Sequence, residues 1–391
     1  MARPKTLPAE IEEDFKSSPD HVRVSVAAAM TLGLKPGRMF RNATCDCVNL
    51  LENYPAGCYA NCTYCGLARE RPGPAQDNTF IWVAWPVFPT DLVAEAVATR
   101  GDRVGRVCVA MVQDRRAYPD LVEITRRVRA RSDVPISALV TATLLDEDKL
   151  RCVRDAGADI VGIGLDAASE EVFFRTRGRG ARGPHCWGQH WAIARAARRI
   201  FGPMKVNCHV MVGLGETDRD LVDLLYRLKA EEIAAYLFSF NPEPGTAMAE
   251  VPRAPLARWR RIQLTKYLIE RHELPREAVE FDAAGMLLRV HRVPALVEAC
   301  LSDGLAFVTN GCPDRNGRLA CNRPFGSYRP GEAFRDYPFV PTREDRLAIR
   351  HETRVDELCG RATNGATRIV NSPPTPRGGL AAPAPTEPHV P

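Results

Sequence analysis

Between residues 45 and 250 short apolar runs alternate with longer amphipathic stretches, and the alternation repeats with little change. RVCVAMV (106–112) is a continuous apolar run of the kind shown by a strand buried on both faces. In YPDLVEITRRVRARS (118–132), which follows it, Leu121, Ile124 and Val128 fall on one helical face. VPISALV (134–140) predicts the next strand, and LLDEDKLRCVRDAG (144–157) a helix that stops at Gly157. ADIVGIGLD (158–166) is followed by a helical stretch ending WAIARAARRI (191–200). MKVNCHVMVG (204–213) and ETDRDLVDLLYRLKA (216–230) make another pair, and IAAYLFSF (233–240) predicts the last strand. With a first strand around Val48–Asn53, about six βα units result, which build a parallel sheet with helical crossovers. Periodicity alone leaves open whether that sheet is doubly wound or a barrel.

The flanks read differently. Residues 1–44 form an N-terminal extension, of which 1–40 are polar and helical by pattern, without an assigned role. Residues 251–362 are a mixed C-terminal region with a helix around Ala254–Arg271 and a Gly/Pro-rich stretch near 309–331. The tail at 363–391, rich in proline and small residues, cannot build a core and is expected to be disordered.

Composition narrows the class. Of 391 residues, 45% are hydrophobic and 26% charged, an ordinary balance for a globular protein. No apolar window is long enough to suggest a membrane span. The N-terminus lacks the apolar core of a secretion signal, so thirteen cysteines predict a reducing, cytoplasmic setting and metal binding. The net charge of +5 comes largely from arginine runs such as Arg175–Arg182 and Arg258–Arg261. These read as solvated helix faces, or as attractors of an acidic partner or anionic substrate. The aromatic interleaving of a nucleic-acid platform is missing.

The chemistry concentrates in GCYANCTYCGLARE, where Cys58, Cys62 and Cys65 stand in a Cys-x3-Cys-x2-Cys spacing with Tyr64 before the last. Three thiolates within eight residues can hold three corners of a cubane iron–sulfur cluster. The next cysteine is Cys108, so one iron is left without a nearby protein ligand. A zinc knuckle is the alternative, but it wants a fourth Cys or His close by.

This run resembles the signature of the radical S-adenosylmethionine (SAM) enzymes. The resemblance implies an α/β fold: a partial (β/α)6 radical SAM barrel over residues 45–250, with N- and C-terminal extensions. It also implies a [4Fe-4S] cluster with an open iron site, held by Cys58, Cys62 and Cys65 and chelated by SAM. One-electron cleavage of SAM would release a radical that takes hydrogen from an unactivated C–H bond. Three strand ends resemble the biotin-synthase-like branch. Asp166, in Gly164-Leu165-Asp166, falls where that branch holds the SAM ribose; otherwise it caps the helix that follows. Glu216 closes the turn Val212-Gly213-Leu214-Gly215-Glu216, like one used near adenine, although such turns often need glycine for the backbone alone. Asn241 and Pro242 begin a segment resembling the PxPGT loop that lines the adenine. Where many relatives carry Gly-Gly-Glu, this chain has Met111-Val112-Gln113-Asp114, and Gln113 or Asp114 takes that place.

A second cysteine set is Cys45, Cys47, Cys312 and Cys321, the last two in turn-rich GCP and CNRPF segments. It predicts an auxiliary iron–sulfur cluster, with four-cysteine zinc as the rival. Cys108, Cys152 and Cys208 sit inside apolar runs and read as inert core residues. An auxiliary cluster beside a SAM site implies sulfur insertion. The PxPGT-like loop, the Leu-Asp strand end and GCP…CNRPF together resemble the two-protein lipoyl synthases; Ser327-Tyr328 is similar to a serine motif of ordinary lipoyl synthase. The resemblance implies an octanoylated lipoyl carrier as partner, an electron donor such as flavodoxin or ferredoxin, and a second radical SAM protein. The loop RTRGRGARGPHCWGQHW (175–191) would border the barrel mouth, either as a recognition loop or as a solvated basic loop with Trp187 and Trp191 buried. Two other readings stay open: a radical SAM lyase or rearrangement enzyme of the tryptophan-lyase or hydrogenase-maturation kind, and a zinc-stabilised interaction protein without catalysis.

Overall fold

The computed structural model describes residues 15–360 except 292 and 327–329. The expected tail at 363–391 and the Ser327-Tyr328 pair lie outside the described residues. Eight strands form one sheet: β1 (His21–Val24), β2 (Cys47–Leu51), β3 (Val87–Pro89), β4 (Arg106–Ala110), β5 (Ile136–Val140), β6 (Ala158–Asp166), β7 (Val206–Val212) and β8 (Ala234–Ser239). Their spatial order is β3-β1-β2-β4-β5-β6-β7-β8. From β2 onward neighbouring strands run parallel, which yields the six parallel strands that the alternation predicts. The terminal strands β3 and β8 do not pair, so the sheet is a partial barrel.

Helices cross between the parallel strands and bury the faces that the sequence pattern marks. In Ala117–Arg129, Leu121, Ile124 and Val128 are fully buried, each burial worth roughly 1.5–3 kcal/mol. Helix starts are fixed by side-chain caps. Asp146 accepts from the Lys149 amide, and Thr217 and Asp220 form a reciprocal capping box. Ser169 caps Glu170–Thr176, so Asp166 is free of the capping role. Among the described residues no helix is long and apolar enough to cross a membrane.

The helical reading of residues 1–40 fails at 21–24. His-Val-Arg-Val forms β1, antiparallel to β2 and β3, and covers one edge of the parallel sheet. Four residues are too few for a period to show. The other edge is covered by the C-terminal region. Asn310 accepts from the Leu237 amide of β8 at 3.4 Å, and Asn241 donates to the Gly326 carbonyl at 3.2 Å. The Phe325 ring meets Trp85 edge-on at 6.0 Å, bringing the two ends of the open sheet together. Residues near 309–326 thus wall the barrel interior.

Candidate active site

Directly after β2 the chain turns through Gly57, whose φ of 68° suits glycine, into the three-cysteine loop. The Cys65 amide donates to the Cys62 carbonyl at 3.0 Å, making the turn that gathers the thiols. Two backbone amides point at sulfur: Gln113 N–H donates to Cys58 Sγ at 3.3 Å and Leu67 N–H to Cys65 Sγ at 3.4 Å. Burial pushes all three thiols up, Cys62 to about 12. Three buried thiolates need a cationic centre among them, and iron supplies one by deprotonating what it binds. The donor set and its N–H···S contacts therefore fit a cluster.

Tyr64 explains its own position in the motif. Its hydroxyl donates to Asp166 Oδ2 at 2.6 Å, and Arg177 pairs with the same carboxylate. Arg177 is only 5% exposed and its Nε has no partner. Asp166 itself adopts φ 61° at the end of β6, a left-handed position that Asp tolerates better than most residues. The loop, the strand end and the following helix are thus locked into one polar cluster.

Beneath the loop lies a cavity of about 270 Å³ inside the barrel. Cys58, Cys62 and Cys65 line it at the strands' C-terminal end, while Cys108, Cys312 and Cys321 line it further in. Cys47, Cys312 and Cys321 pack together, with Cys108 and Tyr236 against them. Nitrogen donors surround this set: Asn49 Nδ2 reaches Cys47 Sγ at 3.6 Å, Asn207 Nδ2 reaches Cys312 Sγ at 3.7 Å and Arg323 Nη1 reaches Cys321 Sγ at 3.6 Å. A hydrogen bond from Cys47, opposed by burial and helped by Arg323, lowers Cys321 to about 5. The same hydrogen bond raises Cys47. Gly311 permits the approach of the two C-terminal ligands, since a Cβ there would lie 2.1 Å from the Cys321 carbonyl oxygen. Among the described residues no three His, Cys, Asp or Glu side chains stand at metal-ligating separation. The case for iron rests on the donor set and its surroundings.

Of the four expected cysteines of the second set, Cys312 and Cys321 line the cavity and Cys47 packs against them. Cys45 is buried outside the cavity wall, its thiol donating to the Cys47 carbonyl at 3.4 Å. A two-residue spacing puts side chains on one face only within a strand, and β2 begins at Cys47. Cys108 lines the cavity beside them: on β4 it is in register with Asn49 of β2 and Ser137 of β5, both cavity-lining. The reading of Cys108 as an inert core residue therefore fails. Cys152 is exposed on its helix, and of these three cysteines only Cys208 is plainly a core thiol.

The remaining expected residues divide. Gln113 lines the cavity, with Oε1 accepting from Thr141 Oγ1 at 2.6 Å, whereas Asp114 turns to the Arg116 amide. Asn241 is on the wall; the Pro242 carbonyl faces outward and accepts from Trp82 Nε1 at 2.5 Å. Glu216 lies off the cavity. Its carboxylate accepts from Gly213 N–H and Leu214 N–H at 2.8 Å each and pairs with Arg258, so it braces the glycine turn. Glu243, missed in the sequence, lines the cavity and grips the 79–82 segment through Thr79 Oγ1 and Trp82 N–H. His209, Asn207 and Met211 alternate along β7 and face inward, a period-2 signal present in the sequence but masked by its apolar neighbours.

Neither arginine run is simply a solvated face. Arg177 and His185 of the 175–191 loop enter the cavity wall, and Trp191 is buried under the Arg227 guanidinium at 3.5 Å. Arg182 does lie outside, paired with Glu70. In the second run Arg260 is fully buried against Glu352, and Arg258 bridges Glu216 and Asp218. The partner acids are distant in sequence, so the run alone could not reveal them.

Comparison with known proteins adds the family. The Radical SAM superfamily model matches residues 53–228, from the cysteine loop through β7. The biotin synthase of Rhodopseudomonas palustris is 26% identical over 186 residues, 47% of this chain and 48% of that protein. The GTP 3',8-cyclase of Microcystis aeruginosa is 31% identical over 102 residues, 26% of this chain and 30% of that protein. The chain spans about half or less of the length of these relatives. A solved methylornithine synthase superposes with a TM-score of 0.45 at 14% identity, covering 86% of this chain and 87% of that one. The matched span holds the cysteine loop and the strands that carry it: residues 53–228 match the radical SAM superfamily, and the similarity to biotin synthases supports the biotin-synthase-like branch.

Proposed function

We propose that this enzyme inserts sulfur into an unactivated aliphatic C–H bond, and that its substrate is a carrier-bound octanoyl chain, as in lipoyl synthase. One observation carries the reading: two thiol sets border the same largely apolar cavity, so a chain lying between them would touch both. Cys58, Cys62 and Cys65 would hold a [4Fe-4S] cluster with its open iron toward SAM, and Cys47, Cys108, Cys312 and Cys321 an auxiliary iron–sulfur cluster. With both cofactors bound, the first supplies hydrogen abstraction and the second supplies sulfur.

The protein's own part is positioning and exclusion of water. Arg177 and Tyr64 hold Asp166 where a ribose diol would reach it. Gln113 and Asn241 would offer polar contacts to SAM from the ends of β4 and β8. Asn49, Asn207 and Arg323 would direct N–H groups at the sulfurs of the auxiliary cluster, which steadies thiolate charge. Apolar walls such as Leu50, Met111, Leu139 and Phe238 keep water from the reacting carbon. A structural zinc site would be closed on all sides, whereas this thiol set opens onto a cavity. An electron donor such as flavodoxin or ferredoxin, an acylated carrier and a second radical SAM protein complete the proposed system.

The test is incubation of anaerobically reconstituted protein with SAM, dithionite and an octanoylated carrier peptide, followed by mass spectrometry. A peptide that gains sulfur at the cost of hydrogen supports the proposal. SAM cleavage with no sulfur transferred to that peptide overturns it.

A further inference from the structure

The cavity wall carries more polar groups than its apolar character suggests; most are committed within the protein, while Asn49 and Asn207, whose Nδ2 groups face the second thiol set, each keep an unpartnered Oδ1 that can only accept. Asp166 takes Tyr64 and Arg177; Gln113 takes Thr141; Glu243 takes Thr79 and Trp82; Asn241 gives to Gly326. His185 Nδ1 lies 2.6 Å from Thr143 Oγ1. His209 is different. Its ring stacks obliquely on Phe238, with centroids 4.6 Å apart, and neither ring nitrogen has a hydrogen-bond partner among the described residues. Burial, reinforced by Arg323 and Arg177, pushes it down to about 3, so the ring is neutral at working pH and offers one N–H and one lone pair.

Its place matters as much as its vacant valences. Arg323 contacts Cys321 of the second thiol set, and Arg177 stands beside Cys62 and Cys65 of the first; His209 feels both. It lines the cavity that both sets border, two residues along β7 from Asn207, whose Nδ2 reaches Cys312. On β6 the residue in register with it is Gly164, which has no side chain to fill the space alongside. A polar group left unpaired in such a place is costly, and an incoming ligand that satisfies it is favoured correspondingly.

The ligand's charge can be read from the same wall. Arg177 and Arg323 are the two cationic side chains among the described lining residues. The charge of Arg177 is balanced by Asp166, though its Nε stays unpartnered, and Arg323 gives Nη2 to the Asn310 carbonyl and Nη1 to Cys321 Sγ. A free carboxylate entering here would be a buried charge without a counter-ion. A neutral carbonyl meets no such penalty. We infer that His209 is the residue that positions the substrate, donating a hydrogen bond to the carbonyl of a neutral acyl amide and not to a free fatty acid. This deepens the proposed function and rests on it.

The experiment measures binding, not turnover. Reconstituted wild-type enzyme, His209→Ala and His209→Gln are titrated anaerobically with a peptide carrying N-octanoyl-lysine, and separately with octanoate; iron content and cluster spectra confirm that each variant is intact. The expected result is peptide binding weakened about ten-fold in His209→Ala and largely restored in His209→Gln, which keeps an N–H donor. Octanoate should bind wild type at least about ten-fold more weakly than the peptide and be indifferent to the substitution. Peptide binding unchanged in cluster-replete His209→Ala, no peptide binding to wild type, or octanoate binding as tightly as the peptide would each overturn the inference. Sulfur transfer with unaltered binding in His209→Ala would refute this role and spare the proposed function. His209-dependent binding without sulfur transfer would do the reverse.

Discussion

The two thiol sets of this molecule reach the same cavity by opposite routes. Cys58, Cys62 and Cys65 come from one loop, and short turns such as Cys65 N–H to Cys62 C=O already gather them. The second set is assembled from β2, β4 and the C-terminal segment. Its geometry depends on tertiary ties: Asn322 donates to the Thr44 carbonyl at 2.8 Å and accepts from the Asp46 amide, while Arg106 donates to the Pro313 carbonyl at 2.7 Å. A local site is robust to loosening of the fold, whereas a dispersed one reports directly on whether the barrel is closed.

The largest effect should come from breaking the local set. Cys62→Ala removes one of only three loop ligands, so SAM cleavage by the reconstituted protein should fall to background. Iron bound by the second set should survive, as measured by iron and sulfide content. Next, Arg177→Met leaves the half-buried Asp166 carboxylate without its cation, which should cost roughly 3 kcal/mol in urea unfolding. That damage lies beside the loop and should spare the second set's iron.

Acid should also act on the loop side of the cavity. Burial, the first cause in each case, pushes His185 down to about 2 and His190 and His209 to about 3. Below the unfolded value near 6.5 the unfolded chain binds protons that the native protein refuses, so stability falls as pH drops from 6.5 toward 5. The slope should approach roughly 1.4 kcal/mol per pH unit for each histidine, read by urea unfolding of apoprotein across that range. His190→Gln should remove about one third of it if the three contribute alike.

Smaller effects separate the two sets. Asn322→Ala deletes the ties between the C-terminal segment and the start of β2, at about 1–3 kcal/mol, and should release iron from the second set while the loop keeps its own. Glu243→Gln weakens the grip on Thr79 and Trp82 by about 1 kcal/mol. Hydrogen exchange of the amides at 79–85 should quicken, with both sets still loaded.

The same contrast explains what was legible in the sequence. Strand β6 falls at 158–166 as its apolar run predicts, because a strand buried on both faces is defined by its own composition. The three-cysteine loop was readable because its ligands are neighbours. Cys108 was not: an apolar run describes a core thiol and an interior ligand equally well, and only the register with Asn49 and Ser137 turns it inward. Cys45 is the converse case, since its two-residue spacing from Cys47 fixes no common face before the strand begins. Glu216 matched a motif position, yet its carboxylate is consumed by the turn it closes. The buried arginines Arg177, Arg258 and Arg260 looked solvated because the carboxylates that pay for their burial arrive only with the fold.

The most direct test of two facing sets is the iron content and Mössbauer spectrum of anaerobically reconstituted Cys108→Ala beside Cys45→Ala. The account predicts that Cys108→Ala loses the second cluster and keeps the one on the loop, while Cys45→Ala matches wild type. A second cluster that persists without Cys108 or vanishes without Cys45 would contradict it.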